Sequence, residues 1–356
     1  MSAQSAKQTM PQNAIAVTMG EPAGIGGEVT LKAWQNRERL SSPFFLIDDP
    51  KRIERLTQNF GMSVPIKSIN TPEEAFQCFS THLPVLPINK KIDINLGKPH
   101  IAYAAAVINS IEIGVRLVTS GKASALTTNP IQKEILYQAG FEYPGHTEFL
   151  AHLASIETPP VMMLASRVLR VVPVTIHESL LSAVQSLNAA DIVEKTMIAN
   201  SALCRDFALA KPRLAIAGLN PHAGEGGTLG NEEIDIIAPA IKQLKVKGLD
   251  VFGPVPPDTL FSEKIRETYD AAICMYHDQA LIPIKTLDFE GAVNVTCGLP
   301  FIRTSPDHGT AIDIARKGTA SPESLVAALN MAAAMAANRH QQHAPHTQGQ
   351  NGLVSA

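Results

Sequence analysis

The sequence predicts an α/β protein with a largely parallel sheet. Short apolar runs of strand type alternate with longer helical patterns along most of the chain. Glycine, proline and asparagine clusters stand where one type gives way to the other. Apolar residues make up 45% and charged residues 18% of 356 residues, enough for a full core and unlike a disordered or fibrous chain.

The elements follow in order. Ala14–Met19 is a compact apolar run, followed by the glycine-rich segment 20–27 and a helical stretch from Glu28 to Trp34. Phe44–Ile47 reads as a strand ended by Asp48-Asp49-Pro50. Helical apolar spacing runs from Pro99 to Thr119 and stops at Ser120-Gly121. Strand-like runs recur at Ala123–Thr127, Leu169–Ile176, Leu214–Leu219 and Ala271–Tyr276, with helical patterns at Ala190–Phe207 and Asn231–Val246. The length suggests two domains. Breaks near Asn129-Pro130 and Pro283 predict a discontinuous first domain, 14–129 plus 284–338, and a second over 130–283. Segments 1–13 and 339–356 read as loose tails, the latter with His340, His343 and His346.

Lysine and arginine total 30 against 33 acids, for a net charge of -3. A nucleic-acid coat would need a basic field, so none is expected. No run reaches the ~18 consecutive apolar residues of a membrane span, and the polar N-terminus lacks a secretory apolar segment. Cys78, Cys204, Cys274 and Cys297 are scattered without a CxxC pair, which fits free thiols in a reducing compartment. A cytoplasmic protein is expected.

The turn Gly20-Glu21-Pro22-Ala23-Gly24-Ile25-Gly26-Gly27 matches no nucleotide motif. GxGxxG from Gly24 fails at Val29, and no GK[ST] follows. A tight turn and a ligand loop fit it equally. The stronger signal is positional. His177, His222 and His277 each lie at or just past the carboxyl end of a strand-like run, the ligand-binding edge of open α/β sheets. Three converging imidazoles would hold zinc or a similar divalent ion. Three unrelated loop histidines would look the same in sequence. Around them lie Asn220-Pro221-His222-Ala223-Gly224-Glu225-Gly226-Gly227, Lys285, Asn294 and Arg303, the cations suited to a phosphate or carboxylate. In Gly145-His146-Thr147-Glu148, Thr147 is expected to cap a helix.

Five blocks in order now carry a resemblance: Gly20–Gly26, Gly145–Phe149, Asn220–Gly227, Tyr276–Gln279, and Asn294–Ser305 continuing through Asp307-His308-Gly309-Thr310-Ala311. Together they resemble the PdxA family, the 4-hydroxythreonine-4-phosphate dehydrogenases of vitamin B6 biosynthesis, over about 14–337. The resemblance implies an α/β/α two-domain fold similar to isocitrate and isopropylmalate dehydrogenases. It also implies a homodimer with a shared active site and NAD or NADP bound without the Rossmann fingerprint. It assigns His177, His222 and His277 to a divalent metal (zinc, magnesium or cobalt), at least one from the partner subunit. His146, Thr147, Lys285, Asn294 and Arg303 would contact the small phosphorylated substrate. Asp258 is a weaker candidate for a carboxylate near the metal, and Lys285 and Asp258 are the candidate bases. Gly27 stands where the family commonly has proline, Gln132 where it has asparagine, and Arg316 where it has glycine. Arg316 bears on NAD against NADP preference.

The implied reaction is metal-assisted hydride transfer from a secondary alcohol, followed by decarboxylation. Sister enzymes on the same scaffold act on phosphorylated threonate or erythronate, or on an aromatic cis-dihydrodiol. A non-catalytic metal or phospho-ligand binder is the alternative from another class.

Overall fold

The structure, a computed structural model, describes residues 13–93 and 95–343. Twelve strands build one sheet: β1 (Ile15–Thr18), β2 (Phe44–Asp48), β3 (Ile66–Ser68), β4 (Leu83–Pro87), β5 (Leu126–Thr128), β6 (Val161–Ala165), β7 (Arg170–Pro173), β8 (Arg213–Ala217), β9 (Asp250–Val255), β10 (Ala271–Cys274), β11 (Val293–Cys297) and β12 (Arg303–Pro306). Their order is β3-β4-β2-β1-β5-β12-β11-β6-β7-β10-β8-β9. The expected α/β class is what the chain adopts. Neighbours pair in parallel except β12–β11, β11–β6 and β6–β7. Two parallel groups of opposite sense therefore meet across β11 and β6.

The strands read as unbroken apolar runs because both faces are buried. Ile15 and Val17 enter one core while Ala14 and Ala16 enter another. Leu214 and Ile216 likewise face away from Ala215 and Ala217. Residues of helices Gly26–Gln35, Pro50–Asn59, Ala189–Asp206 and Glu323–His343 share the first core.

Helix Ala104–Thr119, after a 3-10 turn at Ile101–Tyr103, packs in the second core. Segment Ile101–Thr119 is long and apolar enough by composition to cross a membrane, but here it is a core helix against β1, β2 and β5. Its polar interruptions have packing reasons. Ser110 Oγ donates to Ile47 O at 2.8 Å and accepts from Met19 N–H at 3.0 Å. A Cβ on Gly114 would lie 2.6 Å from Leu126 Cδ1.

Several bounds differ from expectation. The run at Ala123 joins the sheet only at Leu126, because Lys122 and Ala123 N–H both close back on Leu117 O. Asn231–Val246 starts with a π-turn, Glu233–Ile237, before the helix Ala238–Val246. The expected C-terminal tail starts later. Residues 339–343 continue the last helix, where Arg339 Nε reaches Asp206 at 2.5 Å and Gln342 donates to Cys204 O. His346 lies outside the described residues. All four cysteines are free.

The glycine-rich turn is a packing device. A Cβ on Gly20 (φ +67) would lie 2.6 Å from Asn129 Cβ, and one on Gly24 would lie 2.6 Å from Thr310 O. At Gly27, where the family commonly has proline, it would lie 2.5 Å from Leu56 Cδ1. Beneath the turn, fully buried Asp48 and Arg52 pair at 2.5 Å, and Arg52 donates to Pro22 O at 3.0 Å. Burial, against the pull of Arg52, pushes the Asp48 carboxyl up to about 6.

Arg52→Met would strand Asp48 and cost roughly 3–5 kcal/mol at pH 7, as when one partner of a buried pair is removed. The deficit should shrink toward pH 5, where Asp48 takes a proton in the folded state. Urea unfolding at both pH values checks this. A deficit under ~1 kcal/mol at pH 7 would show that the pair does not carry the turn.

Candidate functional site

β7, β10 and β8 are adjacent and parallel, so their carboxyl ends share one edge. The chain leaves each of them toward one of the three histidines. His277 opens helix His277–Leu287 two residues beyond Met275, and His177 follows Pro173-Val174-Thr175-Ile176. Their ring centroids are 6.1 Å apart. With Thr175, Glu178, Tyr276 and Asp278 they line a cavity of about 440 Å³. Asp278 engages His277 Nδ1 at 2.7 Å, which would leave Nε2 as the ring nitrogen free to bind a cation. Burial holds the His177 imidazole below its ordinary value, and the charges of Lys133 and His277 add to the effect.

His222 is presented differently. Residues 222–226 all lie in the left-handed region, with φ of 52, 52, 81, 45 and 64°. Each of the three non-glycines costs about 1–2 kcal/mol there. Buried Glu233 holds the base of the loop. It accepts Leu219 and Asn220 N–H at 2.7 Å each and Asn220 Nδ2 at 2.9 Å. Burial would raise this carboxyl, but the hydrogen bonds from Asn220 and Leu219 outweigh it and hold it below the usual range.

The structure thus brings His177 and His277 together. Among the described residues no group of three His, Cys, Asp or Glu side chains is placed to hold one ion. Two imidazoles suit a zinc-type cation as half of a site, which would need further donors from elsewhere. Asp258 lies in the short helix Pro257–Leu260, which packs against the His222 loop, and it is exposed.

A second group of candidate site residues lies where the two parallel groups meet. Arg303, 4% exposed, starts β12. Its Nε and Nη2 donate to Thr128 Oγ1 on β5 at 3.2 and 2.7 Å, and Nη1 donates to Thr296 Oγ1 on β11 at 2.9 Å. Among the described residues it makes no ion pair: its direct partners are hydroxyls, and the carboxylate of Glu148 acts on its charge only from a distance. Burial lowers the guanidinium to about 10, still protonated at neutral pH. Such a site wants a phosphate or carboxylate.

Asn294, two residues before Thr296 on β11, points to the same face. His146 Nε2 is buried without a hydrogen-bond partner. Burial first, then Arg303 and Lys133, holds His146 well below the ordinary histidine value. Lys285 Nζ is engaged by Asp307 at 2.8 Å. Thr147 is not the helix cap. Gly145 takes that position and Thr147 falls inside the first turn of His146–Leu153.

Sequence reasoning missed Thr128, Thr296, Lys133 and Glu233. Thr128 ends a strand just before Asn129-Pro130, so the strand-end rule could have found it. The other three carry no local signal.

This is an α/β architecture with a strand-edge imidazole pair and a buried cradle for a small anion. The chain belongs to the PdxA family: the model of the pyridoxal phosphate biosynthetic protein PdxA matches residues 40–332. It is 52% identical over 330 residues to the 4-hydroxythreonine-4-phosphate dehydrogenase of Methylorubrum populi, covering 90% of this chain and 94% of that one. The crystal structure of the Klebsiella pneumoniae 4-hydroxythreonine-4-phosphate dehydrogenase is similar at TM-score 0.83 and 37% identity, covering 93% and 99%. A terephthalate 1,2-cis-dihydrodiol dehydrogenase from Burkholderia xenovorans LB400 is similar at TM-score 0.61 and 25% identity, covering 90% and 98%.

Arg303→Met should weaken binding of inorganic phosphate at least ~10-fold, the loss of charge-assisted hydrogen bonds. It should leave the thermal midpoint equal or higher, since a buried unpaired charge is removed. Calorimetric titration and thermal unfolding read the two effects. Unchanged phosphate affinity would remove Arg303 from the anion site.

Folded His146 resists a proton that the unfolded chain accepts below the ordinary value of 6.5. Wild type should therefore lose stability relative to His146→Asn as pH falls from 7 to 5. Parallel denaturant curves would show it, and a constant difference would argue against a buried neutral imidazole.

Proposed function

We propose that this chain oxidises the secondary hydroxyl of 4-phosphohydroxy-L-threonine with NAD+ or NADP+ in the route to pyridoxal 5′-phosphate. The product, 2-amino-3-oxo-4-phosphohydroxybutanoate, then loses carbon dioxide to give 3-amino-1-hydroxyacetone 1-phosphate. The supporting observation is the guanidinium of Arg303, buried beside His146 with no ion pair among the described residues. The names of the relatives support the same reading.

When bound, the nicotinamide takes the hydride and a zinc, magnesium or cobalt ion makes the hydroxyl more acidic. The chain's own residues do the rest. Arg303, set by Thr128 and Thr296, receives the phosphate or the carboxylate, with Lys285 as the second cation. His146 Nε2, Thr147 and Asn294 orient the remaining polar groups. Lys285 and Asp258 are the candidate acceptors of the hydroxyl proton.

His177, His222 and His277 are the metal donors in this reading, with at least one from a second copy. A homodimer is supported by the apolar side chain of Leu180, 61% exposed, in the lining of the His177–His277 cavity. The lobes are read as 14–129 with 284–338, and 130–283, with the substrate between them.

A second reading has one specific support. The dihydrodiol dehydrogenase neighbour shares the fold, and a carboxylate would also satisfy Arg303. Initial rates of NAD+ and NADP+ reduction with 4-phosphohydroxy-L-threonine, with phosphorylated threonate or erythronate, and with an aromatic cis-dihydrodiol separate the readings. The highest kcat/KM should fall on the first, and chelation should abolish the rate until metal is restored. A tenfold preference for another substrate would overturn the substrate assignment. A rate that survives thorough chelation would overturn the metal.

A further inference from the structure

A row of buried hydrogen bonds joins the three histidine-bearing segments through residues that take no part in the chemistry above. Thr175, two residues before His177, donates its N–H and Oγ1 to Met275 O at 3.2 and 2.9 Å. Met275, two residues before His277, donates its N–H to Gln279 Oε1 at 2.6 Å. Gln279 Nε2 donates to Gly218 O at 2.8 Å, at the root of the His222 loop. Glu233 then binds Leu219 and Asn220, as described. Gln279 is 6% and Glu233 3% exposed.

The loop is shaped around the Glu233 carboxylate. A Cβ on Gly224 would lie 2.7 Å from Oε2, and one on Gly218 would lie 3.2 Å from Oε1. Glu233 itself opens a π-turn, a distortion that usually answers a functional demand. Connecting two elements does not require left-handed backbone at His222, Ala223 and Glu225. Something must therefore hold the loop there against relaxation.

We propose that Glu233 and Gln279 are positioning residues that fix the His222 loop against the start of the His277 helix and so present the His222 imidazole to a divalent cation. The proposal rests on the metal reading above, so its test includes a variant that probes that reading alone. The full chain, stripped of metal, is titrated with Co²⁺ by visible absorption. Amide hydrogen exchange over 219–227 and the thermal midpoint are read on the same samples.

Glu233→Ala should bind Co²⁺ at least ~10-fold more weakly, the usual loss when a supporting residue of a metal site is removed. It should also exchange faster at 219–227. Glu233→Gln should recover most of both, since its amide oxygen can still accept the two backbone N–H groups. Gln279→Leu should weaken Co²⁺ binding as Glu233→Ala does.

If His222→Ala loses Co²⁺ affinity while Glu233→Ala and Gln279→Leu keep it, the positioning role is wrong, even if their thermal midpoints fall. If His222→Ala binds Co²⁺ as tightly as wild type, the metal reading fails and takes the proposal with it. Should Glu233→Ala not fold, Gln279→Leu decides, and wild-type Co²⁺ affinity in it overturns the proposal.

Discussion

A guanidinium buried without an ion pair among the described residues is the constraint around which this structure is arranged. Arg303 is held by one hydroxyl from β5 and one from β11, so its place depends on the first parallel group and on the antiparallel strand that ends it. Hydroxyls orient a cation but do not neutralise it. With only Glu148 to favour it from a distance, that charge leaves the strand junction suited to an anion, which is the ground of the function proposed above. An Asp or Glu in place of Thr128 or Thr296 would make a more stable protein and a poorer receptor.

The reversal of strand sense matters for the same reason. An unbroken parallel sheet would put all its carboxyl ends on one edge. Here β11 runs against both of its neighbours, and the group β7, β10, β8, β9 points the other way from β12. The segment crossing between the groups carries Lys133, His146 and Glu148. Lys133 acts on both His146 and His177, which brings the anion cradle and the imidazole edge into one electrostatic neighbourhood.

How much of this was legible in the sequence depended on periodicity. β1, β2, β7, β8 and β10 were readable because strands buried on both faces appear as unbroken apolar runs. β4, with prolines at both 84 and 87, and β9, with Gly253-Pro254, break that pattern and escaped notice. The strand-end histidines were visible because each follows such a run. That β10 inserts between β7 and β8 was not, since strand order is set by packing between distant segments. Glu233 was silent for a similar reason. Its partners lie 13 and 14 residues away across a loop whose left-handed backbone leaves only glycines as its trace.

Those glycines and the ones at 20–27 show how a single residue type can mislead. A glycine-rich turn between a strand and a helix invites a phosphate-loop reading. In this chain the turn uses glycine to let Asn129 and Thr310 come close. Fully buried Asn129 donates to Thr18 O at 2.9 Å and Thr30 Oγ1 at 3.1 Å, which locks the end of β5. Thr128, the adjacent residue, is the hydroxyl that takes two of the Arg303 donors. The order of support therefore runs from the Asp48–Arg52 pair through the turn to Asn129, and from Asn129 to the anion cradle. Glycine at 20 and 24 serves the ligand at second hand, by fixing the strand end that orients the guanidinium.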